Sequence, residues 1–128
     1  MQRIFSGSPF EENIGYARAV ADEHYVFVSG TTGYNYSTMQ ISESVVDQAE
    51  QACANIRRAL EEAGSRVEEV VRVRYIFPNG ADFEPCWPVF RQFFGNTPPA
   101  ATMIIAGLLD PNMKLEIEVT AQRSSAAQ

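Results

Sequence analysis

The alternation LEIEVTA at 115–121 is the first place where this chain could do chemistry. Lys114, Glu116, Glu118 and Thr120 share one face of a strand there, and Leu115, Ile117 and Val119 share the other. A carboxylate fixed on such a face can act as a general base, or hold a water by accepting its hydrogen bond. Glu116 is therefore the candidate catalytic residue. A second alternation, Tyr16 to Ala21, puts Tyr16, Arg18 and Val20 on one side. It offers a phenol, which donates or accepts, and a guanidinium two residues on. A third, Val70 to Phe77, sets Arg72, Arg74 and Ile76 opposite Val71, Val73, Tyr75 and Phe77. Glu116 then has two readings from the residues alone, a working carboxylate or one half of an ion pair with Arg72 or Arg74.

Other chemistries are poorly provided for. The lone His24 rules out a multi-histidine metal site and any Ser-His-Asp arrangement, and it reads as a strand-end or surface residue. GTTGYN at 30–35 lacks the lysine and following helix of a phosphate loop. Cys53 falls on a helical stripe and reads as core; Cys86 has no histidine partner. Neither suggests a disulfide framework. A net charge of −6 speaks against general nucleic-acid binding, since phosphate recognition relies on clustered Lys and Arg. No apolar run approaches the ~20 residues of a membrane helix, and the N-terminus lacks the apolar core of a signal peptide. A cytoplasmic protein without metal or cofactor is the expectation.

At 128 residues, 45% of them hydrophobic, the chain is read as one domain spanning 1–128. Gln2 to Ser6 reads as a short strand, Tyr25 to Ser29 as a buried one ending at Gly30, and Thr31 to Gln40 as a loop. Ser44 to Ala63 is the clearest helix. Val45, Ala49, Ala52, Cys53, Ile56 and Leu60 form its apolar stripe, Ser44 with Asp47 resembles an N-terminal cap, and Gly64 suits the C-terminal one. Arg57–Glu61 and Arg58–Glu62 are spaced as i,i+4 pairs. Asp82 to Phe94 reads as a second helix whose true start Pro88 delays. The order β-β-β-α-β-α-β-β gives an α+β fold, a single-layer mixed sheet with both helices on one face. The sets Val71/Val73/Tyr75 and Leu115/Ile117/Val119 would meet the helices. Tyr16, Arg18, Arg72, Arg74, Glu116 and Glu118 would lie on the open face, which is either a solvated, salt-bridged surface or a subunit interface.

Several short motifs recur in a telling order: Gly15-Tyr16 before a strand, Val28-Ser29-Gly30 ending the next, Asn55-Ile56 to Leu60 with Ala63-Gly64, Pro99-Ala100, and Glu116-Ile117-Glu118. In this combination the chain closely resembles the RidA/YjgF family over nearly its whole length. The resemblance implies a YjgF-like (chorismate-mutase-like) fold and a homotrimer built around a central barrel, with ligand clefts between neighbouring subunits. It also implies a small-molecule partner, a carboxylate or planar metabolite; the best-known members hydrolyse reactive enamines and imines. Tyr16 matches a cleft-lining tyrosine, Ser29 and Gly30 the strand end whose backbone helps hold the ligand carboxylate, and Glu116 the glutamate that positions water. The bland alternatives are an interface tyrosine, a glycine needed only for the turn, and the ion pair already named.

Departures from the family pattern decide the functional expectation. Deaminases carry an arginine after Pro-Ala that grips the substrate carboxylate through two parallel hydrogen bonds; Ala101 stands there in this chain. Thr102 matches the next position and Met103 does not. Trp87 aligns where deaminases often carry asparagine, and is read either as a stacking platform or as core. The expectation is a trimeric binder without arginine-dependent imine hydrolysis. The alternative is a deaminase in which Arg18, or less favourably Arg74, replaces the missing cation. An RNA-cleaving enzyme or translation inhibitor, as some relatives are described, fits the acidic balance least.

Overall fold

A computed structural model describes residues 1–123. The strands are β1 (Gln2–Ile4), β2 (Ala19–Ala21), β3 (Tyr25–Thr31), β4 (Tyr34–Asn35), β5 (Gln40–Ile41), β6 (Val70–Phe77), β7 (Ala100–Ile105) and β8 (Glu116–Gln122). The helices are α1 (Pro9–Ile14), α2 (Val45–Glu62) and α3 (Trp87–Phe94). Six strands form one sheet in the order β1-β2-β3-β8-β6-β7, antiparallel throughout except for the parallel β6–β7 pair. A mixed sheet with its two main helices packed together beside it is the expected α+β architecture. The C-terminal strand β8 is inserted between β3 and β6, which places the first residue of β8, Glu116, beside the end of β3.

The core lies between the sheet and α2 and α3. Ile56 and Leu60 of α2 pack into one cluster with Val26, Val73, Phe77, Leu115 and Ile117, all essentially solvent-free. The ends of α2 are those its sequence calls for. The Ser44 hydroxyl accepts from the Asp47 amide at 3.2 Å, a cap worth about 1 kcal/mol. Gly64 at φ +79° closes the helix, with Ser65 N donating to Leu60 O at 2.8 Å and Gly64 N to Glu61 O at 3.1 Å. Arg58 meets Glu62 at 3.2 Å as spaced. Arg57 instead lies 5.1 Å over the Phe93 ring of α3, a contact between helices that the spacing along one helix does not contain.

Three local expectations are corrected, and one further helix appears. Val71 is 40% exposed rather than facing the helices; two residues of β6, Val71 and Arg72, are spent against one step of β8, and this bulge turns Val71 outward while Val70 takes the buried place. The second helix begins at Trp87, with Pro88 in its first turn and two 3₁₀ turns before it. Residues 9–14, outside the elements read from the sequence, form α1, capped by Ser8 and started by Pro9. The expected loop 31–40 holds the two-residue strand β4, which pairs with β5.

Candidate functional site

The site forms where β3 loses register with β8. Val28 pairs with Val119 and Thr31 with Ile117, so three steps of β3 match two of β8. Ser29 and Gly30 form this bulge. Glycine lets the carboxylate come close here: a Cβ on Gly30 would stand 2.3 Å from Glu116 Oε2 and displace that side chain. The Glu116 carboxylate therefore rests directly against the main chain of Gly30. Among the described residues no ion pair holds it. Arg74 pairs with Glu118 at 2.8 Å instead, as a half-exposed surface bridge worth about 0–1 kcal/mol. Burial raises the Glu116 pKa above the ordinary glutamate range; the Arg18 charge counters this and Glu118 reinforces it.

Tyr16, Arg18, Ser29, Gly30 and Glu116 are thus brought together, with Arg18 in an unexpected role. It lies under the surface, 2% exposed, instead of on the open face. Its Nε meets Glu11 Oε2 at 3.2 Å, Nη1 donates to Gly30 O at 2.6 Å and Thr31 Oγ1 at 3.1 Å, and Nη2 donates to Tyr16 Oη at 3.2 Å. The guanidinium also lies 4.7 Å from the Tyr36 ring centroid. Burial raises the Tyr16 phenol pKa, opposed by Arg18, so the phenol stays protonated at neutral pH. The Ser29 hydroxyl donates to Ala17 O at 2.7 Å and its amide to Arg18 O at 2.9 Å, so both are committed to the chain itself.

Trp87, Ala101 and Thr102 are not part of this cluster. Ala101 and Thr102 lie on β7, three strand steps from β3, or about 14 Å at the usual spacing. They also point to opposite faces. Ala101 pairs with Val73 of the core face, and Thr102 with Arg74 of the open face. Ala101 borders a groove of 490 Å³ with Tyr75, Phe90, Phe94, Pro99 and Arg91. Trp87 is 44% exposed and stands edge-on to Phe83 at 5.9 Å. Cys86 is fully buried; burial pushes its thiol up to about 11 and that of Cys53 up to about 12, beyond the range of a useful nucleophile.

Sequence reasoning missed Glu11, Tyr36 and Arg91. Only Glu11 left a signal, the pattern Ser8-Pro9-Phe10-Glu11 of a helix start. Its carboxylate binds the amide and hydroxyl of Ser6 and the buried guanidinium. Among the described residues no His/Cys/Asp/Glu group is arranged to hold a metal, and no helix is long and apolar enough to cross a membrane.

An ionised carboxylate kept half-buried, with the Arg18 charge only partly offsetting its burial, weighs on stability. Because the folded pKa of Glu116 lies above its unfolded value, its contribution is favourable below the unfolded pKa and is lost as pH rises through the folded one. Glu116→Gln is therefore expected to melt higher than the wild type at pH 7, with the gap closing below about pH 4. Calorimetry at the two pH values checks this, and an unchanged gap would show that the carboxylate is better solvated than its position implies.

Residues 8–123 match the family model described as Endoribonuclease L-PSP. A 2-iminobutanoate/2-iminopropanoate deaminase of Dermatophagoides farinae is 31% identical over 119 residues, covering 91% of this chain and 93% of the relative. Among solved structures, a member of the YjgF/YER057c/UK114 family from Mycobacterium tuberculosis superposes with a TM-score of 0.85 at 32% identity, over 94% of this chain and 98% of that one. RidA from an Antarctic Psychrobacter gives 0.86 at 28% identity, over 95% and 99%.

Proposed function

The chain belongs to the endoribonuclease L-PSP (RidA/YjgF) family, and from that premise we propose that it is a homotrimer. It binds a small carboxylate or planar metabolite in clefts between its subunits, without the arginine-dependent imine hydrolysis of the deaminases. The observation that carries this reading is the division of the site. A half-buried carboxylate with no ion pair among the described residues stands where β8 begins beside the end of β3, and the β7 residues that should face it are two strands away from β8. A neighbouring copy that brings its β7 edge to the Glu116 end would complete the cleft. Phe27, Val71 and Ile104, exposed on or beside the sheet, supply apolar surface for such an interface. In the completed cleft Glu116 would orient water or accept a proton, while Ala101 would leave a ligand carboxylate without a bidentate partner.

The name of the mite relative supports a second reading, an imine deaminase with a relocated cation. Arg18 has four of its five N–H donors engaged within the chain, which argues against that role. Arg91, exposed beside Ala101, is the better placed cation. Hydrolysis of 2-iminobutyrate and 2-iminopropionate, measured on protein that light scattering shows to be trimeric, separates the readings. The expected result is no wild-type rate above buffer and a gain of roughly 10- to 100-fold in Ala101→Arg. A clear wild-type rate abolished by Glu116→Gln would establish the deaminase instead, and a stable monomer would remove the shared cleft.

A further inference from the structure

The bulge in β3 sets a hydrogen-bonding problem that one side chain solves. Where the chain leaves the ladder at Ser29–Gly30, a main-chain carbonyl loses its regular partner. The Arg18 guanidinium supplies one, binding Gly30 O and Thr31 Oγ1 through a single nitrogen while a second nitrogen binds the Tyr16 phenol. Thr31 Oγ1 in turn donates to Ser29 O at 2.7 Å, so both flanks of the bulge are tied. The guanidinium is itself fixed by Glu11 of α1, which is 3% exposed and is held by Ser6. Opposite this assembly, across Gly30, stands the carboxylate of Glu116.

We infer that Arg18, locked by Glu11, is the positioning residue of the Glu116 site. It fixes the Gly30 bulge against which that carboxylate rests and places a positive charge behind it. Arg18 acts through Gly30 and Tyr16 and does not itself grip a ligand. The inference rests on the reading of Glu116 as the working carboxylate. Glu116 is faced by Arg18 from the segment entering β2 and by Glu118 from its own strand. Arg18 is faced by Glu11 from α1, Tyr16, and Tyr36 just beyond β4. Without the Arg18 charge, burial and Glu118 both oppose ionisation of Glu116 and nothing named favours it.

The test follows the carboxyl carbon of Glu116 by NMR through a pH titration of the whole protein, which needs no ligand and no activity. In Arg18→Gln the midpoint is expected to rise by about one pH unit. Arg18→Lys keeps the charge but not the planar fork; its midpoint should return toward the wild-type value, while amide exchange at Gly30 and Thr31 rises at least about tenfold. Since removal of a buried arginine alone leaves Glu11 unpaired, Glu11→Gln/Arg18→Met gives a second variant with no stranded charge, for which the same rise is expected. An unchanged midpoint in either folded variant overturns the positioning role. A shifted midpoint in a protein that binds no carboxylate metabolite upholds it and removes the functional reading instead.

Discussion

Glu11→Ala is expected to cost about 3–5 kcal/mol, close to the largest loss any single truncation in this chain should produce. The expectation comes from what is left behind. Glu11 and Arg18 are both essentially removed from water, and the guanidinium spends its other donors on Gly30, Thr31 and Tyr16. Removing the carboxylate leaves the buried guanidinium without its ion-pair partner, and it strands the Ser6 amide and hydroxyl as well. An exposed pair such as Arg58–Glu62 should contribute less than 1 kcal/mol by comparison. Urea unfolding decides it: the midpoint should fall by about 2 M at a typical slope for a small domain. A loss under about 1 kcal/mol would mean that water reaches the pair and that α1 is not fastened to the sheet through it.

The contrast between these two ion pairs also shows what the sequence could and could not disclose. Arg58 and Glu62 meet because helical geometry alone brings residues four apart together. The rest of α2 is legible for the same kind of reason, since its stripe, its Ser44 cap and its Gly64 terminator are all local. Strand β8 is equally plain, because strict alternation fixes both its buried face and the placing of Glu116 on the opposite one. Arg18 follows an alternation too, yet its direction is set by the orphaned carbonyl of a bulge in another strand, and no pattern along 16–21 contains that. Val71 fails in the same way, through a bulge defined by pairing with β8. Helix α1, with six residues, and strands β4 and β5, with two each, are too short to display a period. The resemblance supplied the identities of Tyr16, Gly30 and Glu116 as a group. The separation of Ala101 and Trp87 from that group follows from strand order, which places β8 and β6 between them and β3.

Gly33→Ala should be the most damaging of the glycine substitutions. A Cβ there would lie 2.5 Å from Gln48 Cβ, 2.6 Å from its Cα and 2.8 Å from its carbonyl oxygen, so the obstacle is helix backbone and not the movable end of a side chain. Neither side can withdraw. The Asn55 amide binds Thr32 O at 3.2 Å and Tyr34 O at 2.8 Å, clamping the chain to α2 on both sides of Gly33. Gln48, fully buried, ties α2 to Ser42 O at 2.7 Å and Asn112 O at 3.0 Å, and it receives the Lys114 amide at 3.0 Å. Opening a gap for one methyl group must break the Asn55 bonds or the Gln48 bonds, adding about 0.5–1.5 kcal/mol for each to the usual overpacking penalty of about 1–3 kcal/mol. A total loss of about 3 kcal/mol or more is expected, read as a fall in Tm of roughly 10 °C for a domain of this size. Since Lys114 lies two residues before Glu116, the same displacement should loosen the entry to β8, and amide exchange at Leu115 and Glu116 should rise even at temperatures where the fold persists. A melting point within about 2 °C of the wild type would show that the 32–35 segment rides freely over α2, and that the Gln48 bonds fasten the β8 entry without its help.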